Sequence, residues 1–103
     1  MTEGGCLIGI DAGTSVVKAV AFDYLGNEVC VDETPMPLRQ PEPLWIEQDM
    51  SELWETVKVC LCSIASQLKE LKRDIAGIGI TSTGDGTWII DREGQPVRGG
   101  ILW

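Results

Sequence analysis

Apolar residues recur along this chain in two rhythms, and the change from one to the other outlines its elements. Leu7-Ile8-Gly9-Ile10 is a short apolar run of the kind that forms a buried strand. It breaks at Asp11-Ala12-Gly13-Thr14-Ser15 and resumes as the β-branched stretch Val16-Val17-Lys18-Ala19-Val20-Ala21-Phe22-Asp23, which predicts a second strand and puts the break at a hairpin tip. Tyr24-Leu25-Gly26-Asn27 supplies turn chemistry, and Glu28 to Thr34 alternates enough to predict a third, partly exposed strand. Three antiparallel strands result. Pro35, Pro37, Pro41 and Pro43 then fall in one short window that neither a helix nor a central strand tolerates, so an extended surface connection follows.

The second rhythm begins at Asp49-Met50-Ser51-Glu52, which has the form of a capping box. Leu53, Val57, Leu61, Ile64, Leu68 and Leu71 recur every three or four residues, with Trp54 and Cys60 beside the stripe, and predict an amphipathic helix with one face on the sheet. Glu55, Lys58, Ser63, Gln67 and Lys69 belong to the solvent side. Asp74 to Thr81 is glycine-spaced and β-branched, which suits a buried parallel strand reached by a right-handed crossover. Ser82 to Gly86 is a polar turn beyond the carboxyl end of that strand, where ligands of open α/β sheets tend to bind. Thr87 to Asp91 reads as a strand, Arg92 to Gln95 as a turn, and Pro96 to Arg98 as the partner of that strand. Gly99-Gly100-Ile101-Leu102-Trp103 opens an element and stops within it, so residues 1–103 are expected to be the front of a longer polypeptide.

Composition narrows the classes. With 44% hydrophobic and 23% charged residues, 103 residues make at most one domain with a modest core. Sixteen acidic residues against eight basic ones, net −8, argue against a nonspecific nucleic-acid or anionic-membrane surface, because such binding depends on Lys and Arg meeting phosphates. Cys6, Cys30, Cys60 and Cys62 have neither zinc-site spacing nor disulfide-framework density, and the chain has no histidine. Free thiols, no basic leader at Met1-Thr2-Glu3-Gly4-Gly5 and no long apolar segment predict a reduced, cytoplasmic protein.

The chemistry-bearing residues collect at the hairpin tip. Gly13 permits either a positive φ or a close backbone approach. Around it stand one carboxylate, Asp11, two hydroxyls, Thr14 and Ser15, and the cation Lys18. Backbone N–H groups and hydroxyls can take phosphate oxygens, a lysine supplies charge and a carboxylate can hold Mg²⁺ directly or through water, so the turn reads as a phosphate and metal cradle. The alternative is an ordinary turn whose Asp and Thr satisfy local N–H groups.

Asp11-Ala12-Gly13-Thr14-Ser15 with Lys18 and Phe22-Asp23 resembles the first phosphate motif of the actin, Hsp70 and sugar-kinase ATPase superfamily. Trp45-Ile46-Glu47-Gln48-Asp49, Gly77-Ile78-Gly79-Ile80-Thr81, Asp85-Gly86-Thr87-Trp88 and Gly99-Gly100-Ile101-Leu102-Trp103 follow in the order seen in FGGY carbohydrate kinases, so the resemblance covers nearly the whole chain. It implies an α/β, RNase H-like mixed sheet of three antiparallel strands, a helix and a parallel strand. It also implies that residues 1–103 are the first part of the kinase N-terminal domain.

By the same resemblance the cofactors are ATP and Mg²⁺. Asp11 would act on the metal through its water shell, Gly13, Thr14 and Ser15 would hold β/γ-phosphate oxygens, and Lys18 would neutralise the transferring phosphoryl group. Asp85, preceded by Thr83 and Gly84, falls where the substrate hydroxyls are gripped, the alternative being a plain Asp-Gly turn residue. Trp103, or secondarily Trp88, could offer an apolar face to the sugar carbons, the alternative being core packing. Relatives carry Gln-Met-His or Gln-Arg-Glu strings where this chain has Thr83-Gly84-Asp85, which leaves the sugar or polyol unassigned. The segment with Trp45, Glu47, Gln48 and Asp49 either borders the sugar cleft or is plain linker.

No catalytic residue is expected in residues 1–103, because the general base of such kinases comes later in sequence. The implied partners are a sugar or polyol and the remainder of the kinase chain, with a homodimer left open and neither nucleic acid nor membrane expected. Two rival readings are a noncatalytic binding or assembly module of the same fold and an RNase H-like nuclease in which Asp11 and Asp85 share metals.

Overall fold

The computed structural model describes residues 4–102. In chain order its elements are β1 (Gly5–Ala12), β2 (Val16–Phe22), β3 (Glu28–Pro35), β4 (Glu47–Gln48), α1 (Met50–Glu70), β5 (Asp74–Ser82) and β6 (Gly100–Ile101). The main sheet runs β3-β2-β1-β5, antiparallel between β1 and β2 and between β2 and β3, and parallel between β1 and β5. This is the predicted mixed sheet. A second, two-stranded antiparallel ladder joins β4 to β6, with Gln48 opposite Gly100 and Glu47 opposite Ile101.

The period-2 pattern decides which face of the sheet is covered. Cys6, Ile8, Ile10 and Ala12 of β1 and Val17, Ala19 and Ala21 of β2 are all buried, while Leu7 and Asp11 between them are exposed. Against that face α1 lays Val57, Cys60, Ile64 and Leu68, one residue per turn of its apolar stripe. Each aliphatic side chain so buried contributes on the order of 1.5–3 kcal/mol, and the small Ala19 and Ala21 leave room for the helix. Leu53 and Leu61 pack at the margin, whereas Leu71 caps the helix at 53% exposure. Met36, in the proline-rich connection, is a further core residue at 1% exposure.

The start of α1 is half a capping box. The Asp49 carboxylate accepts the Glu52 N–H at 2.8 Å. Glu52 does not complete the box: its carboxylate takes the guanidinium of Arg39 at 2.9 Å and thereby ties the connection before the helix to its first turn.

Two further expectations fail. The strand over Asp74–Thr81 forms as β5 but is not buried: Ile75, Ile78 and Ile80 are 44%, 52% and 70% exposed. It is hydrogen-bonded along one edge, to β1, and α1 lies mainly over β2 and β3, so its faces lack cover. Thr87–Asp91 is not a continuous strand. Thr87 bridges Ile101 and Ile90 bridges Pro96, and Pro96, lacking an N–H, cannot donate to a longer ladder.

Candidate active site

Because β1 and β5 are parallel neighbours, their carboxyl ends lie side by side, with Asp11 opposite Thr81 and Ala12 opposite Ser82. The β1–β2 hairpin tip and the loop after β5 are therefore brought to one end of the sheet. The same register places Asp11 directly across from Lys18.

The tip is held from three directions. Gly13 N–H donates to the Val16 carbonyl at 3.1 Å, Met36 N–H donates to the Ser15 carbonyl at 2.9 Å, and the Gln48 side-chain amide donates to the Gly13 carbonyl at 3.1 Å. Gly13 is needed for close approach rather than for a left-handed φ: a Cβ there would stand 2.8 Å from the Val16 carbonyl oxygen. Among the described residues, the Thr14 and Ser15 N–H groups and hydroxyls and the Asp11 carboxylate make no hydrogen bond to protein. Ser15 and Asp11 are exposed and Thr14 is half-buried.

Two other aspartates show what a satisfied turn looks like. Asp23 accepts the Leu25 and Asn27 N–H groups, both at 2.9 Å, and the Asn27 bond is the chief cause holding its carboxyl below the usual range. Asp91 accepts from Glu93 and Gln95 at 3.0 and 2.9 Å. Asp11 serves no such local purpose, and the ordinary-turn reading of the first hairpin does not describe it.

Lys18 pairs with Glu33 on β3 at 3.5 Å, both side chains being about half exposed (44% and 56%). Such a pair contributes about 0–1 kcal/mol and yields readily to a better anion. An open groove of about 480 Å³ runs along the uncovered sheet face from Phe22 and Val20 to Asp11, Lys18 and Thr81. Its lining is mostly apolar, with Asp11, Lys18 and Thr81 as the polar residues; Gly13, Thr14 and Ser15 do not line it.

A second cavity, about 170 Å³, lies between Ala12, Leu53, Ser82, Thr83, Trp88 and the side chain of Gln48. Thr83 is thus brought to the hairpin end, while Gly84 and Asp85 occupy the exposed crest of the loop. The Asp85 carboxylate makes no hydrogen bond among the described residues, unlike the Asp-turn residue at Asp91. Trp88 is a packing residue: its ring fills the place a Gly100 side chain would occupy, and its indole Nε1 lies 3.2 Å from where a Gly86 Cβ would stand. Trp103 lies outside the described residues. Thr81 was not among the predicted site residues, and Gln48 entered only as part of a segment that either borders the sugar cleft or is plain linker. Gln48 sits in the Glu-Gln-Asp segment before the helix, but nothing in its hydropathy announces a buried amide.

The fold is that found at the front of sugar kinases of actin-like ATPase fold. The xylulose kinase of Rhodospirillum rubrum superposes with a TM-score of 0.88 at 26% identity, over 94% of this chain and 20% of that one. The Plasmodium falciparum glycerol kinase determined with ADP superposes with a TM-score of 0.89, over 96% of this chain and 20% of that one, and at 24% identity shares the fold. The chain belongs to the FGGY family of carbohydrate kinases, whose N-terminal-domain pattern matches residues 6–103. The glycerol kinase of Limosilactobacillus reuteri (strain DSM 20016) is 38% identical over the full chain, which spans about a fifth (21%) of that protein. No helix among the described residues is long and apolar enough to cross a membrane.

Proposed function

We propose that residues 1–103 form the phosphate-binding front of the N-terminal domain of an ATP-dependent kinase that transfers the γ-phosphoryl group to a hydroxyl of a sugar or polyol. One observation carries this reading: Asp11, Thr14 and Ser15 stand at a hairpin fastened on three sides, yet among the described residues the Asp11 carboxylate and the Thr14 and Ser15 N–H groups and hydroxyls have no protein partner. Buried or tightly held backbone polar groups are normally satisfied, so unpaired donors on a fixed turn suit an incoming anion. Membership of a carbohydrate-kinase family supports the kinase over the metal-nuclease reading.

In this reading Thr14 and Ser15 donate to β/γ-phosphate oxygens, and Lys18 exchanges Glu33 for phosphate. The residues suit Mg²⁺ held through water, since Asp11 offers one exposed carboxylate, and the metal would neutralise charge on the phosphates. Asp85 accepts from substrate hydroxyls, with Thr83 and Gly84 shaping the loop. The general base lies outside residues 1–103, so this chain alone is inactive. The free buried thiols of Cys6 and Cys60 suit the cytoplasm.

A coupled ADP-release assay on the complete polypeptide, run with glycerol, longer polyols and ketopentoses, tests this. ATP consumption dependent on one of these substrates is expected, with Asp11→Asn lowering kcat about a hundredfold or more and Asp85→Asn chiefly raising KM for the substrate. Wild-type turnover by Asp11→Asn, or no phosphorylated product from any of these substrates, would reject the reading.

A further inference from the structure

Gln48 is the one fully buried polar side chain in the described core, at 0% exposure. Its Nε2 faces the Gly13 carbonyl at 3.1 Å, and a carbonyl can only accept, so this bond fixes which end of the amide points to the hairpin. The other end, Oε1, is buried and without a partner. An apolar side chain of the same length would fill the space without stranding an acceptor, so burial does not account for the glutamine. The bond to Gly13 does.

The position of Gln48 gives that bond a wider consequence. Gln48 lies in β4, opposite Gly100 of β6, and β6 is bridged through Ile101 to Thr87, with mutual N–H to carbonyl bonds of 2.9 and 3.0 Å. Thr87 follows the loop that bears Thr83 and Asp85. Hydrogen bonds and the covalent chain of Gln48 therefore link the carbonyl of the hairpin, through the Gln48 amide and its backbone in the β4–β6 ladder, to the foot of the loop after β5. Gln48 is also the residue directly before the helix cap Asp49, so the path is anchored to the rigid start of α1.

We infer that Gln48 is a positioning residue: its amide sets the Gly13 carbonyl, and with it the Thr14 and Ser15 donors, in the register in which they receive nucleotide phosphate. This rests on the kinase reading given above. Loss of the amide donor leaves the tip tied at Val16 and Met36 alone, and a phosphate cradle displaced by a fraction of an ångström loses nucleotide binding before it loses the fold.

The test is kinetic, on the complete polypeptide. Gln48→Met keeps the volume and removes the donor. It is expected to lower kcat/KM for ATP about tenfold, while KM for the polyol at saturating ATP moves less than about threefold. Gln48→Glu adds a readout that packing alone would not move. As a carboxylate it cannot donate to Gly13. When protonated it can, and burial raises the pH at which it protonates. Its kcat/KM for ATP, relative to wild type, is therefore expected to recover as pH is lowered.

An active wild type whose folded Gln48→Met variant stays within twofold for ATP overturns the inference. So does a flat pH ratio for Gln48→Glu, which decides the matter if Gln48→Met fails to fold. A wild type that phosphorylates nothing overturns the kinase reading and this inference with it.

Discussion

Gly13→Ala is the most direct perturbation of the proposed cradle. The added methyl would stand 2.8 Å from the Val16 carbonyl oxygen, against 3.4 Å or more for an ordinary contact. The alanine or the carbonyl must then move by about 0.6 Å, and the neighbour is backbone, which cannot rotate away as a flexible side chain could. The same Val16 oxygen accepts the Gly13 N–H at 3.1 Å, so the movement stretches the bond that closes the turn. Overpacking of this kind costs about 1–3 kcal/mol, and the lower backbone entropy of unfolded alanine returns about 0.4–1 kcal/mol. A net destabilisation of about 0–2.6 kcal/mol follows.

The effect on function should exceed the effect on stability. Thr14 and Ser15 follow directly in the chain, and misplacement of reacting groups by about 1 Å costs on the order of a hundredfold, so a shift of half that predicts about a tenfold loss in kcat/KM for ATP. Steady-state kinetics of the complete polypeptide at fixed saturating polyol, with urea denaturation alongside, measures both. A folded variant within twofold of wild type for ATP would show that the tip does not touch the nucleotide.

Three further outcomes are expected. Asp49→Ala removes the cap that accepts the Glu52 N–H at 2.8 Å and should cost about 1 kcal/mol in urea denaturation; Asp49→Asn, which keeps an acceptor, should recover most of it. Asp23 has a depressed pKa in the fold, so its contribution to stability is present above its ordinary value of 3.8 and is lost as pH falls through the lower folded value. Asp23→Ala should accordingly differ most from wild type above that window and converge with it in acid, as followed by the denaturation midpoint against pH. Burial pushes the Cys60 thiol up, and its Sγ lies 3.3 Å from Thr34 Oγ1, whereas Cys62 is exposed. Iodoacetamide should alkylate Cys62 well before Cys60, and peptide mapping that found Cys60 labelled first in the folded chain would contradict the packing of α1.

Much of this protein was legible along the chain because its elements carry their own periodicities. The apolar run Leu7 to Ile10 and the β-branched stretch from Val16 mark the two strands of a hairpin. The stripe Leu53, Val57, Leu61, Ile64, Leu68, Leu71 marks the helix, although the structure buries Cys60 beside that stripe and leaves Leu71 at 53% exposure. Asp49 announces the helix start through local cap chemistry. The hairpin-tip residues were legible for the same reason: a turn between two strong strands, with Asp11, Thr14 and Ser15 within five residues, is a local feature.

The parallel pairing of β1 with β5 was expected, but the other contacts between distant segments were not legible. The two-residue ladder of β4 and β6 is too short for any pattern, and glycine and proline content around residues 96–100 masked it. The exposure of Ile75, Ile78 and Ile80 contradicts their hydropathy, because cover depends on which elements lie alongside β5 and not on its own residues. Gln48 is the sharpest case. Composition assigns glutamine to the surface, and only the folding of residue 48 onto residue 13 gives its amide a carbonyl to hold. The order of the residues determined the strands, the helix and the polar hairpin tip, since each is governed by neighbours a few positions away. Tertiary structure decided which polar groups found partners and which stayed free for a ligand, since hydrogen bonds between remote segments exist only once the chain has closed on itself.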